Sequence, residues 1–338
     1  MATTVPVIAT AAAPQPISVP DNVYAVSYDS SGDHLLAGGM QGDLTLINTA
    51  DGKSTARIKV DTLVGSVLLS DDAQSVFLGN SGTAPQTVAL NLTSGEIGTR
   101  FLPAEPNQTR VSDTTTLRLS DDGSQLFMAN TSAGGALIFD TDSGEILKRF
   151  SDDAPRSGDC AINDSWTTVV CSKNASTSMS APADSYARLI AWNVADEKVI
   201  ADMKVEPMKS AGQIAFAGDS KVAAGDMCMG KQACGLAVID LDEQKVESMG
   251  NAFLGPDDEV KPYSQPSLYT MTVSPDGKRL AAGSEDGMVP VWQLTPLKRL
   301  SQDEVLVDDS VRALAFSPDG QQIAVGGDSQ SLVLIDAP

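Results

Sequence analysis

Four cysteines and one histidine are the residues of this chain with the widest chemical range, and their placing narrows what they can do. Cys228 and Cys234 bracket the stretch MGKQA, so a disulfide between them could close that loop. In MCMGKQAC, the residues Met227, Cys228, Met229 and Cys234 also offer soft sulfur donors of the kind that hold Cu(I), but no second motif supports that use. Cys160 and Cys171 form the other candidate pair. Two pairs with none left over point to an oxidising compartment, whereas a buried cysteine can equally be a small apolar residue of a core strand. With His34 as the single histidine, no His-Cys metal set can form. A general base needs a cleft and partners, and His34 ends a polar turn. The sequence contains no GxSxG, HExxH or P-loop motif, and its Asp-Gly pairs are turn chemistry before they are calcium ligands. No catalytic residue, cofactor or metal site is expected.

Charge narrows the partners. Against 23 Lys and Arg stand 44 Asp and Glu, a formal net charge of -21, and no basic run occurs. Such a surface repels phosphate backbones and anionic lipid, so the expected partners exclude nucleic acid and membrane. No stretch reaches the roughly 20 apolar residues that a membrane-spanning helix needs. The opening MATTVPVIATAAAPQPISVP lacks a basic leader and is not a complete secretory signal. The chain is therefore expected to be cytoplasmic, or exported (periplasmic or extracellular) with its signal removed; paired cysteines favour export.

The elements that position these residues are read from a recurring hairpin. Apolar residues flank a polar turn at Tyr28/Leu35, Leu69/Val76, Leu119/Leu126, Ile162/Val169, Val273/Leu280 and Phe316/Ile323, always seven positions apart. Phe216/Val222 is the same unit shortened by one residue. Between them lie DSSGDH, SDDAQS, SDDGSQ, NDSWTT, AGDSK, SPDGKR and SPDGQQ, the Asp, Ser and Gly chemistry of tight turns. Cys160 and Cys171 are symmetric about one such turn, so the register sets them opposite each other on adjacent strands. Apolar residues at 42%, charged residues at 20%, 28 glycines and 18 prolines suit many short strands, and the class is all-β.

After each hairpin comes a third apolar run closing on a small polar side chain: LTLIN, TVALN, ALIFD, LIAWN, LAVID, VPVWQ and LVLID. That is the place of the Trp-Asp dipeptide of WD repeats, and over nearly its whole length the chain resembles a divergent WD-repeat (WD40-like) protein. The resemblance implies a single seven-bladed β-propeller. Only Trp192 and Trp292 keep the tryptophan, and Ser284, Asp286 and Trp292 are the one candidate for the family's hydrogen-bonded tetrad, without its histidine. QLFMANTSAGGALIFDTDSGEILKRF also resembles the YVTN type of propeller of exported bacterial proteins.

A fourth strand follows in the first six units, and the seventh stops one strand short at Asp336-Ala337-Pro338. The last blade should be completed by an N-terminal strand, either Val5 to Ala9 or Ile17 to Val19. One domain over 1–338 is expected, with a closing segment 1–22 and blades starting near 23, 64, 114, 158, 211, 268 and 311. Antiparallel order sends the long connections to one face: Pro103 to Ser112, Ser172 to Ala187, Met227 to Cys234 and Gly250 to Ser267. The expected function is a non-enzymatic scaffold binding a protein or peptide through that face of blades four to six. Tyr186, Arg188, Met229, Lys231, Tyr263 and Tyr269 have the contact area or charge for it. The alternative is a lactonase-like propeller hydrolase with a divalent cation in the central channel, held by Asp226 with Asp113 or Asp159.

Overall fold

The structure is a computed structural model describing residues 16–80, 87–101, 114–130, 135–151, 157–174, 186–226, 235–253, 267–306 and 308–338. Among the described residues twenty-eight strands form seven antiparallel sheets of four, a seven-bladed propeller. The inner strands are Ala25–Tyr28, Val64–Leu69, Thr114–Leu119, Ser157–Ile162, Gln213–Phe216, Leu268–Val273 and Val311–Phe316. All seven predicted hairpin pairs face each other, from Tyr28 against Leu35 to Phe316 against Ile323, including the shortened Phe216 against Val222. Among the described residues no helix is long and apolar enough to cross a membrane.

The turn residues set this register. In blades two, three, six and seven, Ser70, Ser120, Ser274 and Ser317 directly follow the inner strand. Each accepts the amide of the residue that opens the next strand at 2.9 Å, and donates to Asp72, Asp122, Asp276 or Asp319 at 2.6–2.7 Å. Those carboxylates take a second amide, at 3.0–3.1 Å, so the hydroxyl and the backbone hold all four below the ordinary carboxylate range, Asp122 at about 2. Blade four uses Asn163, which accepts the Thr167 and Thr168 amides at 2.9 Å each. The residues at the Trp-Asp place also serve a turn: Asn48, Asn91, Asp140, Asn193 and Asp240 accept amides of the loop that follows, at 2.8–3.1 Å.

Among the described residues seven apolar clusters occur, each shared by two neighbouring blades, which is why the sheets must close into a ring. Phe77, Phe101 and Phe139 join blades two and three, with ring centres 5.9 and 5.6 Å apart. The ring closes as expected from the sequence: Ile17–Ser18 pairs with Leu332 and Ser331 as the outer strand of blade seven. Val5 to Ala9 lies outside the described residues. In the first six blades the outer strand carries a bulge, which makes its exposed edge a poor template for another strand.

The tetrad candidate does not assemble. Ser284 donates to Asp286 and accepts the Met288 amide at 2.9 Å, all within one turn. The Trp292 indole N–H instead reaches the Ala252 carbonyl at 3.0 Å, tying blade six to the end of blade five. Without a histidine ahead of the inner strand, nothing draws the indole toward the serine.

Candidate functional site

Seven inner strands surround a central channel of about 830 Å³, lined by backbone and by short polar side chains such as Ser27, Ser66, Thr116 and Gln213. Connections between second and third strands, and from each outer strand to the next blade, open on one side, and the tight hairpin turns on the other.

Of the acids named for a cation, Asp159 and Asp226 are described, and both accept hydrogen bonds. Asp159, 3% exposed, accepts the Cys160 amide at 2.8 Å, the Ile214 amide at 3.1 Å and the Thr116 hydroxyl at 3.2 Å. Its own amide donates to Ser172 Oγ at 2.9 Å, and Ser172 donates to the Ala211 carbonyl at 2.5 Å. This hub joins blades three, four and five. Directly behind it, a disulfide links Cys160 and Cys171, as the hairpin register predicted, and both cysteines are buried. Asp226 accepts a hydrogen bond from Ser210, and Asp113 lies outside the described residues. Among the described residues no group of three or more His, Cys, Asp or Glu side chains could hold a metal ion. His34 opens the second strand of blade one on the tight-turn side, with Nδ1 2.9 Å from Asp29 Oδ2. Burial of Asp29 opposes its charge, yet hydrogen bonds from His34 and Ser31 hold its carboxyl below the ordinary value.

Three of the six expected contact residues are described. Tyr186 precedes the third strand of blade four, Ala187–Asn193, and Lys209 Nζ stands 4.2 Å from its ring centre. Arg188, exposed on that strand, pairs with Asp202 of the outer strand. Tyr269 is set apart from these two. It sits on the inner strand of blade six, where the Arg312 guanidinium of blade seven lies 3.9 Å from its ring centre. Met229, Lys231 and Tyr263 fall outside the described residues, as do Cys228 and Cys234.

Tyr269 leads to a cluster that the sequence reading missed. Arg312 also stands 5.6 Å from the Tyr24 ring centre and donates to Asp328 through Nε at 3.1 Å and Nη2 at 2.9 Å. The Tyr24 hydroxyl donates to the same carboxylate at 2.6 Å. Partial burial, then this bond, pushes the Tyr24 phenol up to about 12. Burial works against the charge on Asp328, but Arg312 and Tyr24 hold it below the usual carboxylate range. A signal was present: Tyr24, Tyr269 and Arg312 each stand four residues before the hairpin's first apolar residue.

A known family model matches the last two blades. The model of the WD domain, G-beta repeat, matches residues 260–293 and 297–336. Protein HIR1 of Kluyveromyces lactis is 30% identical over 83 residues, a match spanning 20% of this chain and 10% of that protein. Residues 260–336 thus carry two matched WD repeats, and they stand within a seven-bladed β-propeller whose blades share one hairpin register.

Proposed function

We propose that this propeller is a non-enzymatic scaffold, one domain over 1–338, that docks a protein or peptide on the loop-bearing side of blades four to six. Tyr186, Arg188, Met229, Lys231, Tyr263 and Tyr269 are its contact residues, and nucleic acid and membranes are not its partners. The observation that carries this reading is the pre-set pair on blade four, where Lys209 steadies Tyr186 and Asp202 steadies Arg188 on a rigid strand beside the longest connections. Aromatic and arginine side chains held in place before binding lose little entropy on contact and are the usual anchors of interfaces. The family supports the class of function, since WD-repeat propellers commonly mediate protein interactions.

The test is the joint replacement of Tyr186, Lys231 and Tyr263 by Ala, with capture of partners from native extract. Loss of the partner set is expected, while a control variant with Lys53, Lys198 and Lys278 of the opposite turns replaced by Ala keeps it. An unchanged partner set in the first variant overturns the assignment. The hydrolase alternative is separated by calcium titration: a large rise in melting temperature, abolished by Asp113→Asn with Asp226→Asn, would favour it over the scaffold.

A further inference from the structure

Between the outer edge of blade seven and the inner strand of blade one, residues 17–24 cross the loop-bearing side of the ring as a strap. Among the described residues its outer hold is short: Ile17 and Ser18 pair with blade seven, whereas the outer strands of the other blades run from five to eight residues. Two strap amides add backbone bonds, Val19 to the Gln330 carbonyl at 3.1 Å and Val23 to the Gly327 carbonyl at 2.8 Å, and Gln330 Nε2 reaches the Pro20 carbonyl at 2.9 Å.

The inner end is held by the Tyr24 amide on the Gly38 carbonyl at 2.9 Å, by Asp21, which accepts the Gln41 amide at 2.7 Å, and by a cluster of side chains. Asp328, in the loop after the second strand of blade seven, receives Tyr24 from the strap and Arg312 from its own blade, and Arg312 lies over Tyr269 of blade six. The hairpin register gives each blade one residue at this place: Tyr24, Gly65, Thr115, Gly158, Gly212, Tyr269 and Arg312. Blades six, seven and one, which flank the place where the chain closes on itself, carry the large side chains. The other four carry three glycines and a threonine. A ring with uniform joints would have no reason to confine them so.

We propose that Tyr24, Asp328, Arg312 and Tyr269 form a clasp that latches the strap and sets how readily the ring opens between blades seven and one. Each bond alone is modest, but a carboxylate shared by a guanidinium and a phenol couples the three blades, so loss of one partner loosens the other two. Opening the clasp frees the strap and uncovers the edge of the strand Ser331–Asp336, a template for another chain.

Amide hydrogen exchange on the full chain tests the clasp. Asp328→Asn keeps the shape and removes the charge, Tyr24→Phe removes only the hydroxyl, and Arg118→Ala removes the other arginine of the channel lining. Exchange at the Val19 and Val23 amides should rise about tenfold in Asp328→Asn and severalfold in Tyr24→Phe, with no change in Arg118→Ala. The Ile214 amide, bonded to Asp159 between blades four and five, should keep its rate in the first two variants. Unchanged exchange at Val19 and Val23, an equal rise at Ile214, or the same rise in Arg118→Ala would each overturn the proposal.

Discussion

Two parts of the ring solve one problem by different means. Blades three, four and five follow one another along the chain, and they are joined at a hub in which Asp159 takes two amides and a hydroxyl, backed by a buried disulfide. Blades seven and one are neighbours only because the ring closes, and beyond their shared apolar cluster they are joined, among the described residues, by the strand Ile17–Ser18 and by Asp328, shared between Tyr24 and Arg312. The hub is 3% exposed at its carboxyl residue, and its partners are mostly backbone. The clasp is partly in water, with the Arg312 and Asp328 side chains 25% and 38% exposed, and its partners are long side chains. A buried bond to backbone is strong and permanent, while an exposed bond between side chains is weaker and can be exchanged for water or for a partner.

The hub should therefore be the costliest place to disturb. Asp159→Ala leaves two buried amides and the Thr116 hydroxyl without their acceptor, and at about 1 to 3 kcal/mol for each stranded group the loss should be at least about 3 kcal/mol. Urea unfolding of this variant beside Asp328→Ala measures the contrast. A larger loss at Asp328 would reverse the assignment of strong and weak joints.

These joints differ in how far the sequence announces them. Turn chemistry is local, so the Ser and Asp side chains of the hairpins are legible directly, and their register alone places Cys160 opposite Cys171. Asp159 and Ser172 were out of reach, because one inter-blade hydrogen bond depends on the twist between sheets, which no pattern along one strand encodes. The clasp is an extreme case: Tyr24 and Asp328 are 304 residues apart, and nothing near either one signals the other. Repetition alone offered a clue, by putting three large residues in a column of otherwise small ones. Of the expected contact surface, the pair on blade four was legible as aromatic and charged, but its partners Lys209 and Asp202 belong to other segments of the chain.

The disulfide sharpens the contrast at a smaller scale. It closes a loop with a sequence separation of 11, for which the restricted freedom of the unfolded chain corresponds to about 3 kcal/mol. Cys160→Ser with Cys171→Ser should lower stability by roughly that amount. It should speed exchange at the Ile214 amide while leaving Val23 unaffected, since the pair backs the hub and not the strap. Thiol titration in denaturant without reductant should find no reactive sulfur from this pair in protein from an oxidising compartment. Faster exchange at Val23 alone would dissolve the distinction between the two regions.

The smallest expected effect belongs to the clasp and depends on pH. Folding raises the Tyr24 phenol from 10.0 to about 12, through burial first and then its bond to Asp328, with the charges of Asp328 and Asp309 adding to the rise and Arg312 opposing it. Between those values the folded chain keeps a proton that the unfolded chain has released. The contribution is thus complete below pH 10 and is lost as pH rises toward 12. Solvent screens a group so far exposed, so the change should fall well below that of the disulfide. Tyr28, which burial also pushes up, titrates in wild type and variant alike, so the difference between wild type and Tyr24→Phe isolates the clasp. Melting curves of the two proteins should lie apart at neutral pH and converge above pH 10 as the wild type gives up the phenol bond. Parallel curves throughout would mean that the bond to Asp328 contributes nothing to holding the ring closed, and that the short outer strand and the two strap amides suffice.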